Sequence, residues 1–237
     1  DPAAIFEAVQ RPNMRLVPIK NLSQQGQLGI HRVRQGFIEQ RTATINRIRG
    51  LLAEFGVVLP LKASTVRREA TGCLEELPGW ANTAVGDLLS ELHHLDERIA
   101  QYDQHIAQMA REDSRAQQLM RLKGIGQTTA SAMLAMIGNG HEFKCGRQFA
   151  AWLGLAPSQY SSGGKARLGR ITKAGDPYMR SLLVLGARAV LNRAKDQTDS
   201  LSRWALALAE RRGYWRAIVA IAAKNARMCW AMLARGE

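Results

Sequence analysis

The sequence predicts a mainly α-helical protein. Apolar residues recur at helical spacing through two long segments, and glycine, proline and polar clusters interrupt them where helices end. Alternation of the strand type is confined to one short stretch. The chain has 237 residues, 46% of them hydrophobic. That suffices for one large domain or two small ones with a real core, and it excludes wholesale disorder.

Residues 1–10 hold a short apolar run that stops at Arg11-Pro12. Met14-Arg15-Leu16-Val17-Pro18 alternates and ends on proline, which suits a strand. Residues 28–55 predict a long helix, with Ile38, Ile45 and Leu52 every seven residues and Ile48 and Phe55 between them. Arg32, Arg34, Arg41, Arg47 and Arg49 decorate it, and Gly56 is a natural stop. A turn at Leu59-Pro60 and a shorter helical stretch lead to a clear break at Leu77-Pro78-Gly79-Trp80. The most regular periodicity follows. Val85, Leu92, Ile99 and Ile106 occupy one heptad position, and Leu88, Leu95, Tyr102 and Met109 the other. Both seam positions are apolar over several heptads, which predicts a coiled coil. The two long helices can pair within one chain or across chains, and a homodimer or tetramer through residues 83–110 is the expectation. After Ser114 the texture changes. Residues 116–157 are small, apolar and glycine-punctuated, 158–177 read as a polar glycine- and lysine-rich loop, and 178–195 and 201–235 return to helix.

Charge narrows the function. Lys and Arg number 33 against 20 Asp and Glu, a net +13. Residues 62–115 are net −4, whereas residues 140–237 are net +11. Such segregation favours a directed polyanion-facing surface in the C-terminal half, with nucleic acid as the first candidate. Cys73, Cys145 and Cys229 are far apart with no CxxC, which excludes a disulfide framework and a thiolate zinc site and fits a reducing compartment. No apolar run approaches the ~20 residues of a membrane helix, and Asp1-Pro2-Ala3 does not open a signal peptide.

Two segments carry candidate chemistry. In Leu122-Lys123-Gly124-Ile125-Gly126-Gln127-Thr128-Thr129-Ala130, glycines around one isoleucine permit a tight turn between helices. Thr128 or Thr129 is expected to cap the next helix, whose N–H groups then face a phosphate. Lys123, Gly124 and Gly126 are the contacts to expect there, and a ligand-free interhelical turn is the plain alternative. The second segment, residues 157–180, sets Lys165, Arg167, Arg170, Lys173 and Arg180 against the single Asp176. Gly163 and Gly164 let backbone amides approach an anion, and Ser161 and Ser162 place hydroxyls beside them. A hydroxyl next to a cationic, amide-rich nest is what phosphoryl transfer requires. A passive phosphate-binding loop with solvated serines fits the same residue types. The GxxxxGK[ST] spacing of a nucleotide-binding loop is absent, and His31, His93, His94, His105 and His141 all lie elsewhere. Tyr160 and Tyr178 rank behind Ser162 and Ser161 as nucleophiles, since neither has the His/Arg constellation of a tyrosine recombinase.

These segments, with Gln40-Arg41-Thr42-Ala43-Thr44-Ile45-Asn46-Arg47-Ile48-Arg49-Gly50-Leu51-Leu52, Phe149-Ala150-Ala151-Trp152-Leu153-Gly154-Leu155-Ala156-Pro157 and the ending Lys224-Asn225-Ala226-Arg227 through Trp230, together resemble a known family. It is the DEDD-type insertion-sequence transposases, relatives of the pilin-gene inverting recombinase that include bridge-RNA-guided recombinases. The resemblance covers essentially the whole chain, in the family's order. It implies a ribonuclease-H-like (RuvC-like) domain with four metal-binding acids, a coiled-coil connection and a C-terminal transposase domain. A serine beside glycine in that last domain attacks DNA, and by position it is Ser162, with Ser161 its neighbour.

Asp1-Pro2-Ala3-Ala4-Ile5 matches the stretch holding the family's fourth acid, so the resemblance makes Asp1 a catalytic acid and a Mg²⁺ ligand. The other three acids would lie upstream, and the Mg²⁺ site is expected to be incomplete in this chain. The expected layout is residues 1–61 as the end of the RuvC-like domain with the first long helix, 62–115 as linker and coiled coil, and 116–237 as transposase domain with a helix-hairpin-helix-like turn. The expected activity is DNA strand cleavage and exchange through serine, guided by an element-encoded RNA, in the cytoplasm and on the nucleoid of a bacterial or archaeal cell. The alternatives are a non-catalytic DNA- or RNA-binding module, or an inactive fragment, and, further off, a helical assembly scaffold.

Overall fold

The computed structural model describes residues 1–11, 19–165 and 167–236, and helix accounts for 74%. The strand expected at residues 14–18 lies outside the described residues. Ten α-helices and one two-stranded antiparallel sheet follow in order among those described: α1 Pro2–Gln10, α2 Leu22–Glu54, α3 Ala63–Gly72, α4 Gly79–Glu112, α5 Ser114–Leu119, α6 Gln127–Ile137, α7 Gly146–Trp152, β1 Pro157–Gln159, β2 Leu168–Ile171, α8 Pro177–Arg193, α9 Ser200–Arg212 and α10 Tyr214–Arg235. The chain divides into two compact units, Leu28–Met109 and Asp1–Gln27 with Ala110–Glu237.

The Leu28–Met109 unit is built on α2, α3 and α4. Ile45, Ile48 and Leu52 of α2 meet Val66 and Ala70 of α3, Leu77, and Val85 and Leu92 of α4 in one core. Arg34 pairs with Asp103 at 2.5 Å and Arg41 with Asp96 at 3.4 Å, so α2 and α4 run antiparallel. Arg67 of α3 meets the same Asp96 carboxylate. Phe37 packs edge-on to Tyr102 at 5.5 Å, under the Arg98 guanidinium. The chain turns into α4 at the Leu77-Pro78-Gly79 break. The heptad positions Val85, Leu92, Ile99 and Ile106 are all buried within this one chain, as is Leu95. Phe55, which continues the periodicity of α2, falls beyond its end and is 46% exposed.

The other unit is organised around α10, which packs against α5, α7, α8 and α9. Ala217, Ile218, Ile221, Ala222, Ala226 and Cys229 form its fully buried stripe. By length and composition this helix is apolar enough to cross a membrane, with mean hydropathy 1.3 over its best window. That corrects the sequence expectation that no segment qualifies. The physical reason is that a core helix facing four neighbours needs the same apolar residues. A continuous helix over 201–235 is also corrected. Gly213, at φ +87°, ends α9 and starts α10.

Backbone contact sets how closely these helices approach. Gly124 adopts φ +85°, and a Cβ added to Gly186 of α8 would stand 1.9 Å from the Gly124 carbonyl oxygen. The buried Asn225 of α10 donates Nδ2 to the Lys123 carbonyl at 3.0 Å, and Trp230 donates Nε1 to the Gly140 carbonyl at 2.9 Å. Asp113, Asp176 and Asp199 each cap a helix start, accepting from the backbone N–H of Arg115, Met179 and Ser202. For α6 the cap is Gly126, without a side-chain bond. The expectation that Thr128 or Thr129 would cap it is therefore corrected, because α6 begins at Gln127 and both threonines already lie in its first turn.

Two predictions follow from packing. Gly186→Ala should lower stability by about 1–3 kcal/mol in urea unfolding, because backbone, not a flexible side chain, blocks the new methyl. An unchanged midpoint would mean that α8 withdraws from the turn freely. His31 is 1% exposed, and burial together with the nearby Arg34 charge lowers its pKa to about 4 from 6.5. The unfolded chain then takes up a proton near pH 6.5 that the folded chain refuses until about pH 4. The stabilisation is complete above pH 6.5 and is lost as pH falls toward 4, by about 3 kcal/mol in all. His31→Gln should flatten that part of the urea-midpoint profile, and an identical slope in the variant would exclude His31 as its source.

Candidate nucleic-acid interface

The segment read as a loop at 158–177 contains a β-hairpin, with Pro157 opposite Ile171 and Gln159 opposite Leu168. Its tip is set by Gly163 and Gly164, at φ +57° and +76°. Positive φ at both central positions is what a two-residue type I′ turn requires, and glycine supplies it without strain. The Lys165 N–H donates to the Ser162 carbonyl at 3.1 Å and closes the turn.

The two serines differ in their bonding. The Ser161 hydroxyl accepts from the Arg167 backbone N–H and from Gln159 Nε2, both at 3.0 Å, and so belongs to the hairpin's own bonding. The Ser162 side chain is exposed at the turn and has no hydrogen bond among the described residues. Tyr160 is 72% exposed, while Tyr178 is partly buried against the core. Lys165, Arg167, Arg170 and Lys173 are exposed and form no ion pair among the described residues. Lys173 is the one described non-glycine residue at positive φ, 56°. Its N–H reaches the Gly154 carbonyl at 3.1 Å, which holds the strained backbone at the hairpin base.

Arg180 behaves differently. Its guanidinium donates to the carbonyls of Leu153 and Gly175 at 3.1 and 2.9 Å, tying α8 to the end of α7. Lys123 binds Asp199 at 2.5 Å and Gln197 at 3.0 Å, which holds the Asp199 carboxyl far below the usual range. Lys123 and Gly124 line a cleft of about 380 Å³ with Arg193 and Gln197. Gly126 stays exposed at the start of α6, whose first N–H groups receive no side-chain cap.

Arg170 and Lys173 instead line a larger groove of about 1080 Å³, together with Arg147, Arg216 and Arg227 and the indoles of Trp204 and Trp215. The structure thus brings the hairpin base together with α7, α9 and α10, and leaves the 122–130 turn in a separate cleft. Sequence reasoning missed Arg147, Trp204, Trp215 and Arg216 as candidates. A usable signal was present, since Arg216, Ala220, Ala223 and Arg227 recur at helical spacing on one stripe of α10.

Asp1 accepts from the Ala3 N–H at 3.0 Å as the cap of α1. Among the described residues no three His, Cys, Asp or Glu side chains converge to hold a metal, so these residues alone do not fit a Mg²⁺ site.

Comparison with known proteins places the chain in a family. Residues 116–203, which include α6, α7, the hairpin and α8, match the family model described as transposase IS116/IS110/IS902 family. A probable family 20 transposase of Pseudomonas aeruginosa is 45% identical over 99% of this chain and 71% of its own length. The transposase for insertion sequence element IS1111A of Coxiella burnetii is 40% identical over 100% of this chain and 66% of its own. The transposase for IS1328 of Yersinia enterocolitica is 34% identical over 100% and 71%. With identity at this level along the full length of the chain, the protein belongs to the IS116/IS110/IS902 family of insertion-sequence transposases.

Proposed function

We propose that the hairpin is the strand-transfer site of this DNA transposase and that Ser162 is its nucleophile. Attack of the Ser162 oxygen on a phosphodiester forms a serine–phosphorus bond. It breaks the bond from phosphorus to one sugar oxygen, which leaves as a hydroxyl carrying the serine's proton. A hydroxyl of the second DNA strand then reverses the step and joins the exchanged ends. The observation that carries this reading is the difference between the serines. Ser161 spends its hydroxyl on Arg167 and Gln159, whereas Ser162 stands exposed at the turn beside cations that form no ion pair among the described residues.

Lys165 and Arg167 neutralise the developing charge on the non-bridging oxygens, and the Gly163 and Gly164 amides offer donors beside them. Arg170 and Lys173 hold the flanking backbone. Gly126 at the open start of α6, beside Lys123 and Gly124, takes a more distant phosphate. Arg180 supports the site by tying α8 to the end of α7, just before the hairpin. By the family resemblance, Asp1 would be one ligand of a Mg²⁺ ion. A guide RNA made by the element and a homodimer or tetramer belong to the same reading. The α4 seam is already buried within the chain, so association would use other faces of residues 83–110.

One observation favours a second reading. No general base is hydrogen-bonded to the Ser162 hydroxyl among the described residues, as a non-catalytic nucleic-acid-binding module would allow. Covalent trapping separates the two. In the complete transposase, Ser162→Ala should abolish the DNA–protein adduct that survives denaturation and slow strand exchange by at least about 10³-fold. Its DNA affinity should stay within about twofold, and Ser161→Ala should retain the adduct. Strand exchange by Ser162→Ala would sink the assignment. Replacing Lys165, Arg167, Arg170 and Lys173 by Gln should reduce the slope of log affinity against log salt by up to ~3.6, the release expected for four phosphate contacts. A slope unchanged by the four substitutions would place the phosphates elsewhere.

A further inference from the structure

The groove at the hairpin base has a composition that phosphate binding alone does not explain. Five cations line it, Arg147, Arg170, Lys173, Arg216 and Arg227, and no acidic residue does. All five are exposed and unpaired among the described residues, in contrast to the ion-paired Arg34, Arg41 and Lys123. A duplex backbone would be satisfied by these charges. It has no use for large aromatic faces at the same place.

Yet Trp204 and Trp215 line the groove too, and Trp215 leaves 66% of its surface exposed. Exposing that much indole is costly for a residue that serves only packing. Each indole has a cation against it. Lys224 Nζ lies 4.7 Å from the Trp204 ring, and the Arg188 guanidinium 5.9 Å from that of Trp215. Trp215 also meets Tyr214 edge-on at 5.3 Å, which limits its rotation. The remaining lining is apolar, from Leu155 and Pro157 to Val219 and Ala223. A positive channel with aromatic platforms and apolar walls matches single-stranded nucleic acid. The cations track its phosphates and the indoles stack its unpaired bases.

We propose that this groove holds an unpaired strand, with bases stacked on Trp215 and Trp204. The same hairpin carries Ser162 at its tip, five residues beyond Pro157, which lines the groove from β1, or about 17 Å away at strand spacing. Melted DNA next to the reacting phosphate is thereby kept from re-pairing. The inference rests on the nucleic-acid reading of the hairpin but not on the identity of the nucleophile.

The test uses the full chain and two fluorescein-labelled probes, an oligothymidylate of about 12 nucleotides and a duplex of equal length. Anisotropy should show the single strand bound more tightly than the duplex, with quenching of tryptophan emission. Trp215→Ala should weaken single-strand binding about 5- to 150-fold, Trp215→Phe should recover most of it, and duplex affinity should change less than twofold. The salt dependence of Trp215→Ala should match the parent, since stacking releases no counterions. Equal losses for both probes, or full single-strand affinity in Trp215→Ala, would overturn the proposal. So would unchanged emission on binding, the result expected if the groove receives a protein segment instead. Ser162→Ala bears on the other reading alone. Strand exchange by that variant, with stacking intact, would remove the nucleophile and leave the groove standing. Loss of all salt-sensitive binding by the parent chain would remove both.

Discussion

Close backbone approach around α10 is the constraint on which the C-terminal architecture depends. Gly124 and Gly186 touch without intervening side chains, and α10 presents mostly alanine and isoleucine to its neighbours. Within this packing α10 satisfies nearby turns from its own side chains, while Asn225 Oδ1 stays buried without a hydrogen-bond partner among the described residues. Asn225 and Trp230 donate to the carbonyls of Lys123 and Gly140, each in a setting where a lost partner costs about 1–3 kcal/mol. The ending segment that resembles the family motif thus has a physical task. It pins two turns to one helix, and that helix also carries Trp215, Arg216 and Arg227 to the hairpin.

Charge is organised by the same economy. Few acids occur in the C-terminal half, and helix starts claim two of them. Asp176 caps α8, and Asp199 caps α9 while pairing with Lys123. Carboxylates held at helix N-termini are worth something to the fold through the aligned peptide dipoles. Committed there, they do not neutralise the cations of the hairpin or of α10. The net excess therefore becomes a local feature, a row of exposed bases facing a groove. In the Leu28–Met109 unit the balance differs. Arg34, Arg41 and Arg67 find Asp103 and Asp96, and the helices there are bound by packing and ion pairs.

Much of the helical layout was legible because it rests on local spacing. The seven-residue recurrence of Ile45 and Leu52, the stop near Gly56 and the break at Leu77-Pro78-Gly79 all appear where the periodicity and breakers put them. The heptads of α4 were equally legible, but a seam of Val85, Leu92, Ile99 and Ile106 states only that something apolar covers it. Whether that cover comes from one chain or two is a tertiary matter. Gly213 was overlooked for a related reason. A lone glycine inside an apolar, alanine-rich run lowers helix propensity by only about 1 kcal/mol, and its positive φ is visible only in three dimensions.

The sequence by itself determined the helical class, the location of the cationic excess, the glycine turn beside Ser162 and the family, since each is written in composition or in neighbouring residues. Only the tertiary structure revealed the different bonding of Ser161 and Ser162, because it lies in hydrogen bonds to Arg167 and Gln159 within a hairpin. It also assigned Arg180 and Lys123 to partners that hold the fold, and it gathered Arg147, Trp204 and Trp215 against the hairpin base. Those residues are scattered along the chain, and packing around α10 is what makes them neighbours.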